Sequence, residues 1–377
     1  MDTLISSSVV SEGRRTSSAE NKYFVCPIFK DEPEAWNPST KTGVLDHSPL
    51  EYFGGIFETM ERLLGPQGLT FYLTWKVDEL PSYGPDVVAV VLGDEWGRYP
   101  LYTNRVRAVF KMMGTDFPLD ANPFRTPLHL TAVTALKYAR TQVLRLPHLL
   151  QAWRDRKRGP EWTGGAPVPI YDIPIGYVNQ DPLPIKPLSE RRFDLFFSGS
   201  LANADYPWYA PQSLVRTPKD VSRERLVRAM RQLQADRSDL NIFVDVRNSY
   251  VPTHLQKTQE VPEWSYSEMM MNTRICPVPR GTRLETGRLY EALRYGCIPV
   301  TEPLPDRWFL NGLPGIVVHD WDEMPAVVTD LLDRPDYMQD LHEAALDWWH
   351  TKCSEDAIGG FIAETLAGDE EGDGAPT

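Results

Sequence analysis

Between Arg274 and Thr301 the chain reads RICPVPRGTRLETGRLYEALRYGCIPVT, the stretch richest in groups that could bind an anion. A strand over Arg274–Val278 runs into a turn at Pro279-Arg280-Gly281. A helix then spans Leu284–Tyr295, closed by Gly296 as a left-handed cap. Thr282 and Glu285 stand at a capping-box spacing, which sets the helix start at Thr282. A helix N-terminus at the carboxyl end of a parallel strand offers unpaired amides and the positive end of a dipole. Gly281 lets a phosphate approach the backbone closely, and Arg280, Arg283 and Arg288 gather positive charge at that helix end. Cations there oppose the dipole, so they call for an anionic partner, and a diphosphate fits. Glu291 lies almost one turn beyond Arg288, where a carboxylate could accept from the two hydroxyls of a ribose. The same residues also fit an ion-pair ladder, Glu285–Arg288–Glu291–Arg294, on a solvated face, and spacing alone does not separate the two.

A second candidate is Leu92-Gly93-Asp94-Glu95-Trp96, which ends a β-branched run at Asp86–Gly93. A carboxylate at the end of a buried strand facing a cleft is where a base for an acceptor hydroxyl would sit. Asp94 is favoured over Glu95. The competing reading makes Asp94 a turn cap and Glu95 a solvated side chain. His47 and His129 are further candidates for the base. A third stretch, Phe193–Ser200 (FDLFFSGS), is a strand ending in small residues and is followed by a helix over Ser222–Gln234. Ser-Gly-Ser after a strand is also a common βα turn.

The 274–301 stretch resembles the donor site of exostosin-type glycosyltransferases. The matching residues are Pro279-Arg280-Gly281, Arg283-Leu284, Arg288, Glu291-Ala292-Leu293 and Cys297-Ile298-Pro299-Val300. The resemblance implies a GT-B fold, an inverting mechanism and a nucleotide-diphosphate sugar as co-substrate. A UDP-linked sugar is expected, with no other cofactor; there is no clear DxD element, and arginines with a helix dipole can neutralise the departing diphosphate without a metal. The resemblance further implies that Glu291 holds the ribose, and that Arg280 and Arg288, with Gly281 and Thr282 beside them, meet the diphosphate. Glu285-Thr286 departs from the family, which often has small residues there. Over 193–230 the likeness is weaker; it implies that Ser198, Gly199 and Ser200 line the diphosphate and that Arg225 assists. The Asp94-Glu95-Trp96 element is similar to one in related xylosyltransferases.

These segments need a scaffold of alternating strands and helices. Strands at Asp86–Gly93, Val106–Met112, Phe193–Phe197, Leu240–Val246, Arg274–Val278 and Ile298–Thr301 alternate with helices such as Phe53–Leu64, the order of parallel sheets covered on both faces. The fold class is therefore α/β, GT-B, with two Rossmann-like domains facing a central cleft. The expected division is a disordered tail at 1–20, an acceptor-binding domain at 21–170 and a Pro-rich linker at 171–192. A nucleotide-sugar-binding domain follows at 193–335, then a helical segment at 336–366 crossing back to the first domain, and an acidic disordered tail at 367–377.

Composition narrows the partners. The 39 Lys and Arg against 52 Asp and Glu give a net charge of −13, which repels nucleic acid and offers no polybasic membrane patch. The densest basic run, Arg154–Arg158, reads as a solvated helix end. Four separated cysteines without a CxxC pair fit reduced thiols. No apolar run is long enough to span a membrane, and no signal-peptide pattern opens the chain, so a cytoplasmic location is expected. The Walker, HExxH, GxSxG and GxGxxG patterns are absent. The acceptor is then a hydroxyl on a glycan, a lipid-linked sugar or a small metabolite, with a modified DNA base a minor option. A nucleotide-sugar epimerase or phosphorylase on the same fold, and a non-catalytic nucleotide- or glycan-binding descendant, are the alternatives.

Overall fold

A computed structural model describes residues 20–27, 32–40, 50–116, 128–158, 167–178, 181–201, 217–247 and 264–371. The first domain is built on β1 (Lys22–Cys26), β2 (Glu34–Ala35), α1 (Leu50–Leu64), β3 (Thr70–Thr74), β4 (Gly84–Val91) and β5 (Val106–Met112). Helices α2 (Leu128–Leu144) and α3 (Leu146–Arg158) lead on to β6 (Ile170–Ile173). The sheet order is β2-β1-β3-β4-β5-β6, parallel except for β2. Strand β4 lies inside this sheet, so Val87 to Val91 are buried on both faces, which is why its sequence is a continuous apolar run rather than an alternating one. Residues 171–173 read from sequence as part of the connection, and 170 as the end of the domain. They instead form the edge strand, where bordering prolines are tolerated because one side of the strand has no ladder to complete.

The second domain contains β7 (Phe193–Ser200), α4 (Pro218–Asp236), β8 (Ile242–Arg247), α5 (Tyr266–Met271), β9 (Thr273–Val278), α6 (Gly287–Arg294), β10 (Ile298–Thr301) and β11 (Ile316–Val317). Its five strands are all parallel, in the order β11-β10-β9-β7-β8. Helices α7 (Met324–Leu332) and α8 (Pro335–Trp348) follow, and a π-helical turn at Trp349–Cys353 redirects the chain into α9 (Glu355–Glu371). Helix α9 lies along α1 of the first domain. There, the Thr59 hydroxyl donates to Asp356 at 2.6 Å. The acidic tail expected from 367 is helical as far as Glu371, held by a 2.8 Å bond from Arg107 Nη2 to the Leu366 carbonyl.

The joint between the domains is packed. Tyr52 of α1, Tyr177 of the connection and Trp349 of the π-turn form one aromatic cluster, with ring centroids 5.4–6.2 Å apart. Gly176 makes this possible at φ +70°, where a Cβ would come within 2.2 Å of the Tyr52 ring. Apolar burial is continuous from α1 through this cluster to Leu289 and Tyr290 of α6. All four cysteines are buried and free.

Candidate functional site

At the carboxyl edge of the second sheet, three loops are tied together. Arg223, in the second turn of α4, donates from Nη1 to the Ser200 carbonyl at 3.2 Å and from Nε to the Arg280 carbonyl at 3.3 Å. Glu302, just past β10, accepts from the Arg280 amide at 3.0 Å and from the Ser222 hydroxyl at 2.7 Å. Ser198 is buried, with its hydroxyl on Asp245 at 3.0 Å, and its carbonyl accepts from Arg288 Nη2. Thus Arg288 and Arg223 hold the Ser198-Gly199-Ser200 strand end at its two outer residues.

The loop from β9 to α6 differs from its sequence reading. Helix α6 starts at Gly287 with Thr286 as N-cap residue, four residues later than the expected cap Thr282, and Thr286 makes no side-chain cap. The cause is Glu285, which turns inward. Its buried carboxylate takes Arg307 Nη1, the Tyr290 hydroxyl at 2.6 Å and the Ile175 amide at 3.2 Å, and so has no role in a capping box. Burial pushes the Glu285 carboxyl above its ordinary value, with Arg307 and Tyr290 opposing. Thr282 instead lends its carbonyl to Arg280 Nη2 at 3.1 Å. The Arg280 side chain thereby braces its own loop, with Nε directed at the Gly281 carbonyl at 3.4 Å, instead of reaching outward. Gly281 has room for a Cβ at ordinary contact distance, so the surrounding protein does not itself demand glycine there.

At the start of α6, Thr286 Oγ1 and Arg288 Nη1 are buried and make no hydrogen bond. The Arg288 guanidinium lies over the Phe197 ring at 5.0 Å and the Tyr266 ring at 5.6 Å. One turn on, Glu291 is buried and accepts from the Tyr266 hydroxyl at 3.0 Å. Burial raises the Glu291 carboxyl above its ordinary value, and Arg288 opposes the rise. The solvated ladder is therefore overturned: Glu285 and Glu291 are interior, and the Arg294 guanidinium sits 4.0 Å over the Tyr177 ring. Arg225 is paired with Asp320 at 2.6 Å, so the arginine of α4 that reaches this loop cluster is Arg223, which the sequence reading passed over.

On the first domain, Asp94 is not placed as a base. Asp94 has no exposed side-chain surface. It accepts from Lys111 Nζ at 3.1 Å, Arg98 Nε at 2.9 Å and the Arg98 amide at 2.6 Å. Burial alone would raise its carboxyl, but Lys111 and Arg98 outweigh burial and hold it below its ordinary value. Asp94 is thus a buried fastener without a face toward any acceptor. Its neighbour Glu95 is exposed. The charge of Glu95 reaches Lys219 in the first turn of α4, where it partly offsets the lowering of the Lys219 ammonium by burial and Arg223. His47 lies outside the described residues, and His129 sits in the first turn of α2, with its side chain outside the description.

Two arginines of the second domain bind backbone carbonyls of the first. Arg283 Nη2 donates to the Met113 carbonyl at 3.0 Å and the Asp116 carbonyl at 2.8 Å. Arg307 Nη2 donates to the same Met113 carbonyl at 2.7 Å. Gly97 stands at φ +60°, and a Cβ there would meet both the Asp116 carbonyl and Arg283, so the Asp94–Gly97 turn fits only as glycine at its end. Lys111 joins the two systems by donating to the Gly114 carbonyl at 2.6 Å. Among the described residues, no group of three or more His, Cys, Asp or Glu side chains is gathered to hold a metal ion.

Two α/β domains built on largely parallel sheets, with the last helix returned to the first, make up the fold, and the chain carries an exostosin-like segment. Over 81 residues it is 38% identical to an exostosin-1 homologue of Caenorhabditis elegans, covering 21% of this chain and 20% of that protein. Over 87 residues it is 38% identical to exostosin-1b of Danio rerio and 37% identical to exostosin-1 of Mus musculus, covering 22% of this chain and 11% of each. The matched residues thus span a fifth or less of these relatives. No family model matches the chain. Among solved structures, the GtfA/B complex aligns with 85% of this chain and 61% of its own, at 12% identity and a TM-score of 0.40. Among the described residues, no helix is long and apolar enough to cross a membrane.

Proposed function

We propose that this chain is an inverting, metal-independent glycosyltransferase that draws its sugar from a UDP-linked donor and seats the diphosphate at the start of α6. The observation that carries the reading is the pair of buried, unbonded atoms at an uncapped helix N-terminus, Thr286 Oγ1 and Arg288 Nη1. Leaving such groups unsatisfied costs about 1–3 kcal/mol each. An anionic oxygen bonded to both would remove that cost and would also meet the dipole of α6. Glu291 takes the ribose hydroxyls beside it. In the reaction, the acceptor hydroxyl oxygen bonds to the anomeric carbon as the bond from that carbon to the diphosphate breaks. The hydroxyl proton passes to Glu95, and Arg288, Thr286 and the first amides of α6 take up the charge on the departing diphosphate.

Thermal unfolding with added nucleotide tests this directly. UDP at a hundredfold excess over its Kd should raise stability by about 2.7 kcal/mol, because it binds only the folded chain. EDTA should leave the rise unchanged. No rise with any nucleoside diphosphate at millimolar concentration would remove the donor site.

Glu291→Gln keeps an oxygen for the Tyr266 hydroxyl and so preserves the fold. It loses the charge that strengthens bonds from the ribose, and UDP affinity should fall on the order of 10- to 100-fold in a calorimetric titration. Unchanged affinity would assign Glu291 to packing alone. The two arginines of α4 should also separate in the same titration. Arg223→Ala, which frees the Ser200 and Arg280 carbonyls, should weaken UDP binding roughly ten-fold. Arg225→Ala, which removes only a half-exposed pair, should change it less than about three-fold. The reverse order would restore Arg225 to the site.

A further inference from the structure

Helices α2 and α3 cross from β5 to β6, the position where a βαβ unit ordinarily lays an apolar helix face on its sheet. Here, among the described residues, neither helix contributes to the hydrophobic core, and Arg145 is the one fully buried side chain between 131 and 154. The apolar face of α3 instead points outward. Leu146, Leu149, Leu150 and Trp153 follow the i, i+3, i+4, i+7 pattern of a single stripe, and they are 50, 36, 52 and 54% exposed. Leu136 and Val143, one heptad apart on α2, are 70 and 61% exposed. Within residues 128–158 there are seven Lys and Arg against a single acid, Asp155, in a chain whose net charge is −13. The basic run Arg154–Arg158 is the C-terminal end of the same α3 that carries the stripe.

We infer that the α2–α3 hairpin is a docking surface for an anionic lipid bilayer. The stripe would enter the headgroup region, and the flanking cations would meet the lipid phosphates and carboxylates. Charge decides between occupants. A second copy presenting the same face would set the exposed Arg140 and Arg154 against like charge, whereas an anionic bilayer complements them. The surface is also wired to the cleft. Arg145, between the two helices, donates from Nη2 to the Tyr99 carbonyl at 2.9 Å and from Nε to Asp78 at 2.6 Å. Tyr99 closes the loop that carries Glu95 and is itself 47% exposed. The run Arg154–Arg158 does end α3, with Arg154 exposed, as the sequence reading has it; the outward exposure of the neighbouring stripe is what the structure adds. The inference goes beyond the transfer reading and does not depend on it.

Co-sedimentation of the full chain with sucrose-loaded vesicles provides the test. The chain should pellet with phosphatidylcholine–phosphatidylserine vesicles and stay in the supernatant with phosphatidylcholine alone. Its binding should weaken as salt rises from about 0.1 to 0.5 M. Leu146→Glu with Leu150→Glu, both at exposed positions, should leave the thermal midpoint unchanged and lower the bound fraction on the order of ten-fold. Arg154→Glu should lower it roughly five-fold or more. Absence of pelleting with the anionic vesicles would overturn the proposal. So would a dimer, seen by light scattering, that the double Leu variant dissolves, since a second copy would then cover this face. UDP binding is measured on the same sample, so loss of the donor site and loss of membrane docking are read separately.

Discussion

Asp94→Asn is expected to destabilise the chain by about 3–5 kcal/mol, because it removes one partner of a buried ion pair and leaves the Lys111 ammonium uncompensated. The Asp94 carboxylate is bonded by Lys111, by the Arg98 guanidinium and by the Arg98 amide, and none of its side chain is exposed. Asparagine retains one acceptor oxygen but carries no charge. Its amide must also present N–H groups to donors on at least one side. Chemical denaturation at pH 7 measures the difference, and an unchanged midpoint would contradict the assignment of Asp94 as a fastener. The pH dependence has a definite sign. Lys111 and Arg98 hold the folded carboxyl below its ordinary value of 3.8. The stabilisation it supplies is therefore complete above that value and is lost as pH falls through the folded pKa. The variant lacks this contribution at every pH, so the gap between the two proteins should close only in acid.

Glu95→Gln is expected to slow sugar transfer by roughly 10²–10⁴-fold while leaving UDP affinity unchanged, the effect of removing a positioned proton acceptor. Glu95 is exposed four residues past β4, and its charge acts on Lys219 of the second domain; under the proposed function it is the group that takes the acceptor proton. Its isosteric amide can still orient an acceptor but cannot accept the proton. The fold should not change, since Glu95 contributes no buried contact comparable to that of Asp94. The comparison is made as kcat at saturating donor, with binding of UDP measured in parallel. Full activity in Glu95→Gln would move the base elsewhere on the first domain. A matching loss of UDP affinity would make Glu95 part of the donor site instead.

The contrast between these adjacent carboxylates shows what the sequence could and could not reveal. The run DVVAVV announces a buried strand, which is what β4 is. Which of Asp94 and Glu95 turns inward depends on Lys111 and Arg98, and Lys111 comes from the neighbouring strand. Nothing in local spacing reports that pairing. Helix α4 posed a similar problem of phase. Arg223 and Arg225 are two apart, so they point to nearly opposite sides of one helix, and only the packing of Leu226 and Met230 decides which side meets the loops.

The start of α6 was misplaced because a capping box and a buried ion pair use the same residue. The Glu285 spacing from Thr282 fits a cap, yet Arg307, 22 residues on, draws its carboxylate into the interior. The signal that was present lay in the resemblance itself, since Glu285-Thr286 departs from the small residues usual in exostosin-type chains. That departure marks an internal lock and one of the two unbonded donors. Arg283 and Arg307 were beyond the reach of pattern reading as interdomain residues, because their partners are backbone carbonyls on the first domain. Edge strand β6 escaped for a different reason, its four residues being bracketed by prolines that read as connection.

The most direct measurement is a crystal structure of the chain with UDP bound. The diphosphate should lie at the N-terminus of α6, with its oxygens bonded to Thr286 Oγ1, Arg288 Nη1 and the first amides of the helix, and with the ribose hydroxyls on Glu291. A nucleotide found elsewhere in the molecule, or phosphates placed away from Thr286 and Arg288, would contradict the account.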